Sequence, residues 1–399
     1  MKHTVLYQPP DSNFWERYTQ LWRNSPERSP FQSPHILQQF TQQVKNDVAI
    51  FECSLDGEMM GAAFFRYSKG VYVFLSDFKT DANFFVLHSS CTDEMTRQFF
   101  SSFFQMVRQE KWSMMLNSQP AWAPYMDIFE AEARRGRVYW MNLDYAVCPV
   151  AEAETPAELF KKVGSSRNTR YKVNKFAKQG ETSCEVLTDD SDIDKWVEEF
   201  SEAHVVRWAT TPTPSFYRNE ANRALLGAYL RAWHEDGVLV RFALMVDGRR
   251  IGCVIGLLER DSLIYHAPTF HPDFSHCSPG RVLIYYMTQW MAEHNLRILD
   301  FGYGNEDYKY HVATKEHVLK RIFISGKYNL PFIVKTRFIK AIRENPRMYQ
   351  VYQNKVRPIY RNMKGSVSTF MARLFSIKWL NTILLDEQIA DTLLILQTI

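Results

Sequence analysis

Two stretches of the chain repeat one pattern of hydrophobic and polar positions. FECSLDGEMMGAAFF at residues 51–65 and FALMVDGRRIGCVIG at 242–256 keep one constant offset: Phe51 matches Phe242, Leu55 matches Val246, Asp56-Gly57 matches Asp247-Gly248, Met60 matches Ile251 and Gly61 matches Gly252. Aromatic and branched residues on both sides of Asp-Gly predict two β-strands joined by a tight turn with positive φ. A third strand follows each hairpin without a gap, VYVFLSD at 71–77 and SLIYHAP at 262–268. Self-similarity through three collinear strands predicts a duplicated unit. The boundary is expected in CPVAEAETPAELF, where Pro149, residues 151–154 and Pro156 form a small polar connector.

Beyond the third strand the copies diverge. In SPGRVLIYYMTQWMAEHNLRILDF, apolar residues recur at Val282/Leu283, Tyr286/Met287 and Trp290/Met291, about one helical turn apart. Ser278 fits the N-cap and Pro279 the first helical position, and LRILDF reads as the next strand. The first copy keeps a helix and a strand over residues 83–120 but has no glycine at the helix start. A helix opening Ser278-Pro279-Gly280-Arg281 aims unpaired N–H groups and the positive end of its dipole at one point, which suits a pyrophosphate. Gly280 would let the anion approach and Arg281 would add a charged donor. The plain alternative is a capped helix that binds nothing.

Composition adds organisation rather than chemistry. With 399 residues, 46% hydrophobic and 15% aromatic, the chain has ample material for two or three packed domains. The net charge of +4 is unevenly placed: residues 333–378 hold eleven Lys/Arg and one acid, Glu344, which leaves 37 basic and 43 acidic residues elsewhere. That basic, amphipathic tail, 331–399, could lie on an anionic membrane face, on a partner, or back on the body. Six cysteines at wide, irregular spacings predict buried thiols rather than a disulfide scaffold. With no apolar leader and no run of roughly 18 apolar residues, the expected location is cytoplasmic, and contact of the tail with the inner membrane face is one of its three open alternatives.

The order of elements, antiparallel strands, a third strand ending at a phosphate-suited helix, that helix and then a strand leaving a V-shaped gap, resembles the acyl-CoA N-acyltransferase fold of the GNAT superfamily. Ser278-Pro279-Gly280, Asp300-Phe301-Gly302-Tyr303-Gly304 and Tyr308-Lys309 resemble the signature of double-GNAT proteins of the CelD-like and BioF2-like acetyltransferase group, relatives of the Fem peptidyltransferases. SPFQSPHIL at 29–37 is similar to that family's opening, and SSRNTRYKVNKFAKQG at 165–180 to its basic helix at the domain junction. The resemblance covers about residues 29–330. It implies an α/β chain of tandem GNAT folds with mixed, mostly antiparallel sheets: a degenerate first domain at 1–150, a second at 151–330 carrying the acyl-CoA site, and the helical tail.

Such a resemblance implies that acetyl-CoA or another acyl-CoA is co-substrate, that no metal takes part, and that an amine attacks the thioester directly. The residues Ala267, Ser278, Pro279, Gly280, Arg281 and Val282 would hold the donor, with a backbone N–H near His266 or Ala267 polarising its carbonyl. Pro268 is expected to end strand pairing there, since it has no donor. His266 and Asp300 are both candidate bases, each with a bland counterpart: a packed, hydrogen-bonded histidine, and a carboxylate that pins the Gly302–Gly304 loop. Lys309 would stabilise an oxyanion or hold a phosphate, as a lysine in a comparable place does in the Fem enzymes, or else be merely solvated. Tyr308 or Tyr310 would return a proton to the thiolate. In the basic helix, Arg167, Arg170 or Tyr171, Asn174 and Lys178 share a face that is either solvated or placed to hold an acidic substrate. Trp208 could line the cleft, as could Gly302 and Gly304, whose lack of a third glycine and of a following helix excludes a nucleotide motif.

The reading that follows is an N-acyltransferase acting on a small-molecule, glycan or lipid-linked amine, including amino sugars and envelope or exopolysaccharide precursors. A Fem-like transferase using aminoacyl-tRNA competes with it, but no long coiled-coil insertion is present and tRNA is not the expected partner. A non-catalytic double-GNAT scaffold in glycan assembly is the third reading.

Overall fold

At both Asp-Gly turns the two residues take positive φ, 52° and 91° at Asp56-Gly57 and 48° and 77° at Asp247-Gly248, the turn geometry that matches the twist of paired strands. The computed structural model describes residues 1–350 apart from 45–46, 78–79, 210–213, 346 and 348–349. The first half runs β1 (Lys2–Leu6), α1 (Ser12–Arg23), a 3₁₀ turn at Pro30–Gln32, α2 (Pro34–Val44), β2 (Val48–Leu55), β3 (Glu58–Ser68), β4 (Val71–Phe74), β5 (Val86–Leu87), α3 (Asp93–Gln109), β6 (Ser113–Pro120), α4 (Met126–Arg135) and β7 (Tyr139–Glu152). The second half continues with α5 (Pro156–Leu159), α6 (Arg167–Phe176), β8 (Thr182–Leu187), α7 (Ile193–Arg207), α8 (Glu220–Glu235), β9 (Leu239–Val246), β10 (Arg249–Glu259) and β11 (Ser262–Phe270). A 3₁₀ turn at Pro272–Cys277 leads to α9 (Pro279–Glu293), β12 (Ile298–Asp300), α10 (Asp307–Tyr310), β13 (Lys315–Ser325) and α11 (Leu330–Glu344).

The α/β architecture is the expected one, but the two copies share their sheet. Among the described residues one mixed sheet of 13 strands runs β1-β2-β3-β4-β6-β13-β7-β12-β11-β10-β9-β8, with β5 beside β3. The late strand β13 inserts between β6 and β7 of the first half, Phe323 lying opposite Met115 on one side and Met141 on the other. The far end of β7 then pairs with β12, Val150 opposite Asp300. Residues 149–152, expected as a polar connector, are therefore strand, and Val150 and Ala151 are fully buried. A division at residue 150 falls inside β7, because that strand is flanked on both sides and its backbone groups have ladder partners there.

Three layers of side chains hold the sheet. Under α3 and α4 lies a phenylalanine-rich core, Phe51, Phe65, Phe85, Phe99, Phe103 and Phe129 among them, each worth about 1.5–3 kcal/mol when fully buried. Under α9 lie Phe242, Val254, Leu263, Tyr265 and Leu283. The remaining face joins the halves: Phe14, Phe31, Phe40 and Phe64 from the first pack in one cluster with Trp196, Tyr229, Trp233 and Ile255 from the second. Polar ties reinforce the joint, since Trp233 Nε1 donates to the Pro30 carbonyl at 3.0 Å and His35 Nδ1 lies 2.7 Å from Asp236. At the far edge Arg250, nearly buried, meets Glu185, Asp192 and Glu199 at 2.6–2.7 Å, a network costly to break on one side only.

The tail begins by docking back on the body. Phe332 and Ile339 of α11 pack with Phe323, Leu143 and Tyr145, Tyr139 Oη and Thr336 Oγ1 are 2.7 Å apart, and Arg343 Nη1 donates to the Tyr145 carbonyl at 2.8 Å. Almost all of the expected tail after residue 345 lies outside the described residues. No described helix is long and apolar enough to cross a membrane. All six cysteines are free, four of them buried.

Candidate active site

The second copy opens where two parallel strands part. β11 and β12 pair only from Ser262↔Ile298 to Ile264↔Asp300. Past Asp300 the chain turns away from β11 and follows β7, with Phe301 N–H donating to Pro149 at 3.1 Å and Gly304 N–H to Val147 at 2.9 Å. β11 meanwhile stays with β10 as far as Phe270↔Gly252 through a bulge at Ala267, whose φ is +47°. Pro268 does not end the strand as expected, because a bulge leaves a residue unpaired and tolerates a missing N–H. A bulge bends the strand that carries it, and this one lies just beyond the last β11–β12 pair, Ile264↔Asp300.

At the mouth of that gap stands the start of α9. Ser278 occupies the N-cap position in a left-handed conformation, φ 56°, and its side chain caps nothing. Its carbonyl instead accepts from Arg281 N–H at 2.9 Å and Val282 N–H at 3.3 Å. Pro279 has no donor, and the Gly280 N–H has no partner among the described residues. Around Gly280 there is room, the nearest atom to an added Cβ being Tyr265 Oη at 3.5 Å. Val282 is fully buried, so only its backbone faces this turn.

The equivalent elements of the first copy are closed. Asn83 N–H donates to the Ser118 carbonyl at 2.9 Å and its Nδ2 to that of Asn117 at 3.3 Å, stitching the loop after β4 onto β6. Thr92 caps α3 through Met95 N–H, and Asp93 and Glu94 fill its first turn. A capped, acidic helix start repels an anion. Only the second copy keeps the combination of open strands and bare helix.

Basic residues surround the open start, though not those first expected. α6 packs on α9 and on the 3₁₀ turn before it, and it brings Lys172 and Lys175 toward Cys277. Burial raises the Cys277 thiol pKa, and Lys175 and Lys172 oppose that rise. Arg167, Arg170, Tyr171 and Asn174 are exposed on the other face, and Lys178 lies beyond the helix end. Packing thus puts Lys172 and Lys175, rather than that exposed face, beside the start of α9. Trp208 stacks on His204 at 5.5 Å, at the end of α7.

Across the gap, the glycine turn is held from inside. Gly302 and Gly304 take φ +65° and +116°, both buried. Asp300 Oδ1 accepts from Gly302 N–H at 2.7 Å. Lys309, 2% exposed, donates to the carbonyls of Gly302, Tyr303 and Gly304 at 3.3, 2.9 and 3.4 Å and pairs with Glu306 at 2.7 Å. It is neither a solvated lysine nor one extended to an acceptor, since a buried ammonium needs partners and the turn supplies them. The two glycines are crowded by protein side chains: a Cβ on Gly302 would lie 2.7 Å from Oδ2 of Asp81, from the first half, and one on Gly304 2.5 Å from Glu306 Oε1. Tyr310 Oη bonds Glu316 on the outside.

His266 and Asp81 meet where the halves meet. His266 is 6% exposed, held edge-on by Phe31 at 5.7 Å and Trp233 at 5.6 Å, and its Nδ1 is 3.4 Å from Asp81 Oδ2. Asp81 and Phe31 come from the first half, so this corner is composite. Burial, aided by Asp81, pushes Asp300 up to about 7 against the Gly302 hydrogen bond and the Lys309 charge. Burial and the Asp300 charge push neighbouring Glu259 to about 8. A carboxyl that holds its proton in the folded state but releases it near pH 4 when unfolded makes stability fall as pH rises between those values. Asp300→Asn is therefore expected to flatten that fall between pH 4 and 7, read as the urea midpoint against pH; an unchanged slope would mean Asp300 is ionised throughout.

Arg207, which sequence periodicity did not mark, completes the rim. Its Nη1 donates to the Pro268 carbonyl at 3.3 Å, and its guanidinium lies 4.1 Å from the Phe270 ring centroid. Burial above all raises the pKa of Tyr308, with Tyr265 adding to the rise and Arg207 opposing it.

Three comparisons bear on this geometry. Residues 164–310 match the family described as acetyltransferase (GNAT) domain. Among solved structures, FemX superposes with a TM-score of 0.55 at 11% identity, covering 81% of this chain and 97% of its own. L-PGS from Bacillus licheniformis gives 0.53 at 11% identity, covering 83% and 98%. The C-terminal domain (DUF2156) of a putative lysylphosphatidylglycerol synthetase from Agrobacterium fabrum gives 0.51 at 11% identity, covering 83% and 97%. At such identity these likenesses concern the fold. No curated protein sequence matches the chain.

Proposed function

We propose, from the match of residues 164–310 to the acetyltransferase (GNAT) domain family and the open second copy, that the chain is an acyl-CoA-dependent N-acyltransferase. The observation that carries the reading is the pairing of open strands with an uncapped, glycine-bearing helix start in the second copy, against their closure in the first. The Gly280 N–H, Arg281, Lys172 and Lys175 would receive the donor's diphosphate, and the pantetheine arm would enter between β11 and the chain after Asp300. No described group of His, Cys, Asp or Glu is arranged to hold a metal, and the reading invokes none.

In this account the amine nitrogen attacks the thioester carbonyl, whose oxygen is polarised by a backbone N–H of the Ala267 bulge. The C–S bond breaks as the new C–N bond is completed. His266, oriented by Asp81, accepts the amine's proton, an imidazole being suited to that near neutral pH. Tyr308, whose raised pKa keeps it protonated, would protonate the departing thiolate. Asp300 and Lys309 hold the wall of the site. The acceptor is an amine entering from the cleft between the halves, in the class of amino sugars and envelope-glycan precursors, and the basic tail offers peripheral contact with an anionic membrane. Aminoacyl-tRNA, which the Fem-like sequence resemblance implies, is the alternative donor.

Thermal melting separates the two. Saturating acetyl-CoA, or a longer acyl-CoA, is expected to raise the melting temperature by several degrees, as binding at about 100 times Kd stabilises by ~2.7 kcal/mol. If no acyl-CoA shifts it and an aminoacyl-tRNA does, the donor assignment fails.

A further inference from the structure

We propose that Arg207 forms a second anion site at the reacting end of the gap, and that the amine acceptor carries a carboxylate or phosphate which this guanidinium binds. The inference rests on the acyl-CoA reading above and names the acceptor's chemistry.

Arg207 ends α7, which packs along β11. It is partly buried over Phe270, and desolvation lowers its pKa, with Tyr265 and Tyr308 opposing. Among the described residues its one polar contact is the Pro268 carbonyl, and no carboxylate pairs with it. Some other partly buried arginines have such partners, Arg17 with Glu52, Arg250 with three acids and Arg297 with Glu152 and Asp261, while Arg223 and Arg321 bond a carbonyl and an amide within the body; Arg207 differs from these in standing at the gap. A guanidinium has five N–H donors in a planar fork suited to a carboxylate or phosphate, and most of those of Arg207 make no bond to a described residue.

Position separates this charge from the donor's. Arg281, also without an ion pair among the described residues, stands at the helix start, where the diphosphate is proposed to bind. Arg207 and Arg281 both act on Tyr265, opposing the rise that burial imposes on its hydroxyl. Yet Arg207 is anchored on Pro268, two residues beyond His266, at the thioester end. An anion there is not the donor's diphosphate. It belongs to the molecule that brings the amine, an amino acid or an amino sugar bearing a phosphate or a uronic carboxylate.

The test uses the full chain saturated with CoA and titrated calorimetrically with inorganic phosphate. The wild type is expected to bind phosphate saturably, Arg207→Gln to weaken it by about tenfold or more and Arg207→Lys to restore part of it, while acetyl-CoA affinity without phosphate is unchanged by either. Acetyl transfer to matched amines, glucosamine against glucosamine 6-phosphate and an amino-acid amide against the amino acid, is expected to favour the anionic member in the wild type and lose that preference in Arg207→Gln. If CoA-saturated protein binds no phosphate, or Arg207→Gln binds it equally, the proposal is overturned. If Arg207→Gln alters only the choice between acetyl-CoA and succinyl-CoA, the anion sits on the acyl group and the proposal is overturned as well. Failure of CoA itself to bind would instead sink the donor reading, and phosphate titrated alone would still report on Arg207.

Discussion

Lys309→Met is expected to destabilise the protein by about 3–5 kcal/mol, the usual cost of removing one partner of a buried ion pair. The substitution leaves Glu306 paired with nothing and deprives three carbonyls of the Gly302–Gly304 turn of their shared donor. Neither loss is repaired by water, because Lys309 is 2% exposed. Urea unfolding should register the whole effect, and Glu306→Gln added to Lys309→Met should recover part of it by removing the orphaned charge. A Lys309→Met protein of unchanged stability that had lost its activity would return the lysine to the chemistry, where the Fem-like resemblance first put it.

Gly280→Glu is expected to leave the fold intact and abolish donor binding. An acidic side chain in the first turn of α9 favours the helix dipole, and a Cβ there meets only Tyr265 Oη at 3.5 Å, so melting without ligand should be unchanged or slightly raised. With a carboxylate where the diphosphate is proposed to lie, acetyl-CoA affinity should fall at least about a hundredfold, as repulsion replaces a charge-assisted hydrogen bond. Gly280→Ala should fall between, its methyl group hindering approach without adding charge. Unchanged acetyl-CoA affinity in Gly280→Glu would move the phosphate site elsewhere.

Local pattern carried much of this fold. Asp56-Gly57 and Asp247-Gly248 are legible because a two-residue turn is written in two residues, and α9 because its apolar period is intact from Val282 to Met291. The contrast between an open and a closed copy was also legible, in the glycine that the first helix start lacks. What escaped was long-range. Nothing near β13 signals that it crosses into the first half, since its apolar alternation would suit any central position. Asp81 reaches His266 across 185 residues, and a single aspartate in a loop has no period. The basic helix showed its exposed stripe, Arg167 to Asn174, more plainly than Lys172 and Lys175, because a solvated face is the one free to collect charge. Asp300 and Lys309 were visible as unusual positions, but whether they act on a substrate or hold a turn depends on burial, which the sequence does not record.

The central claim is that the second copy delivers an acyl group from CoA to an amine, and mass spectrometry of the wild-type protein with a panel of acyl-CoAs and an amine library tests it most directly. One acylated amine formed in step with free CoA is expected, and neither product with Gly280→Glu. Transfer from aminoacyl-tRNA with every acyl-CoA left intact, or equal turnover by Gly280→Glu, would contradict it.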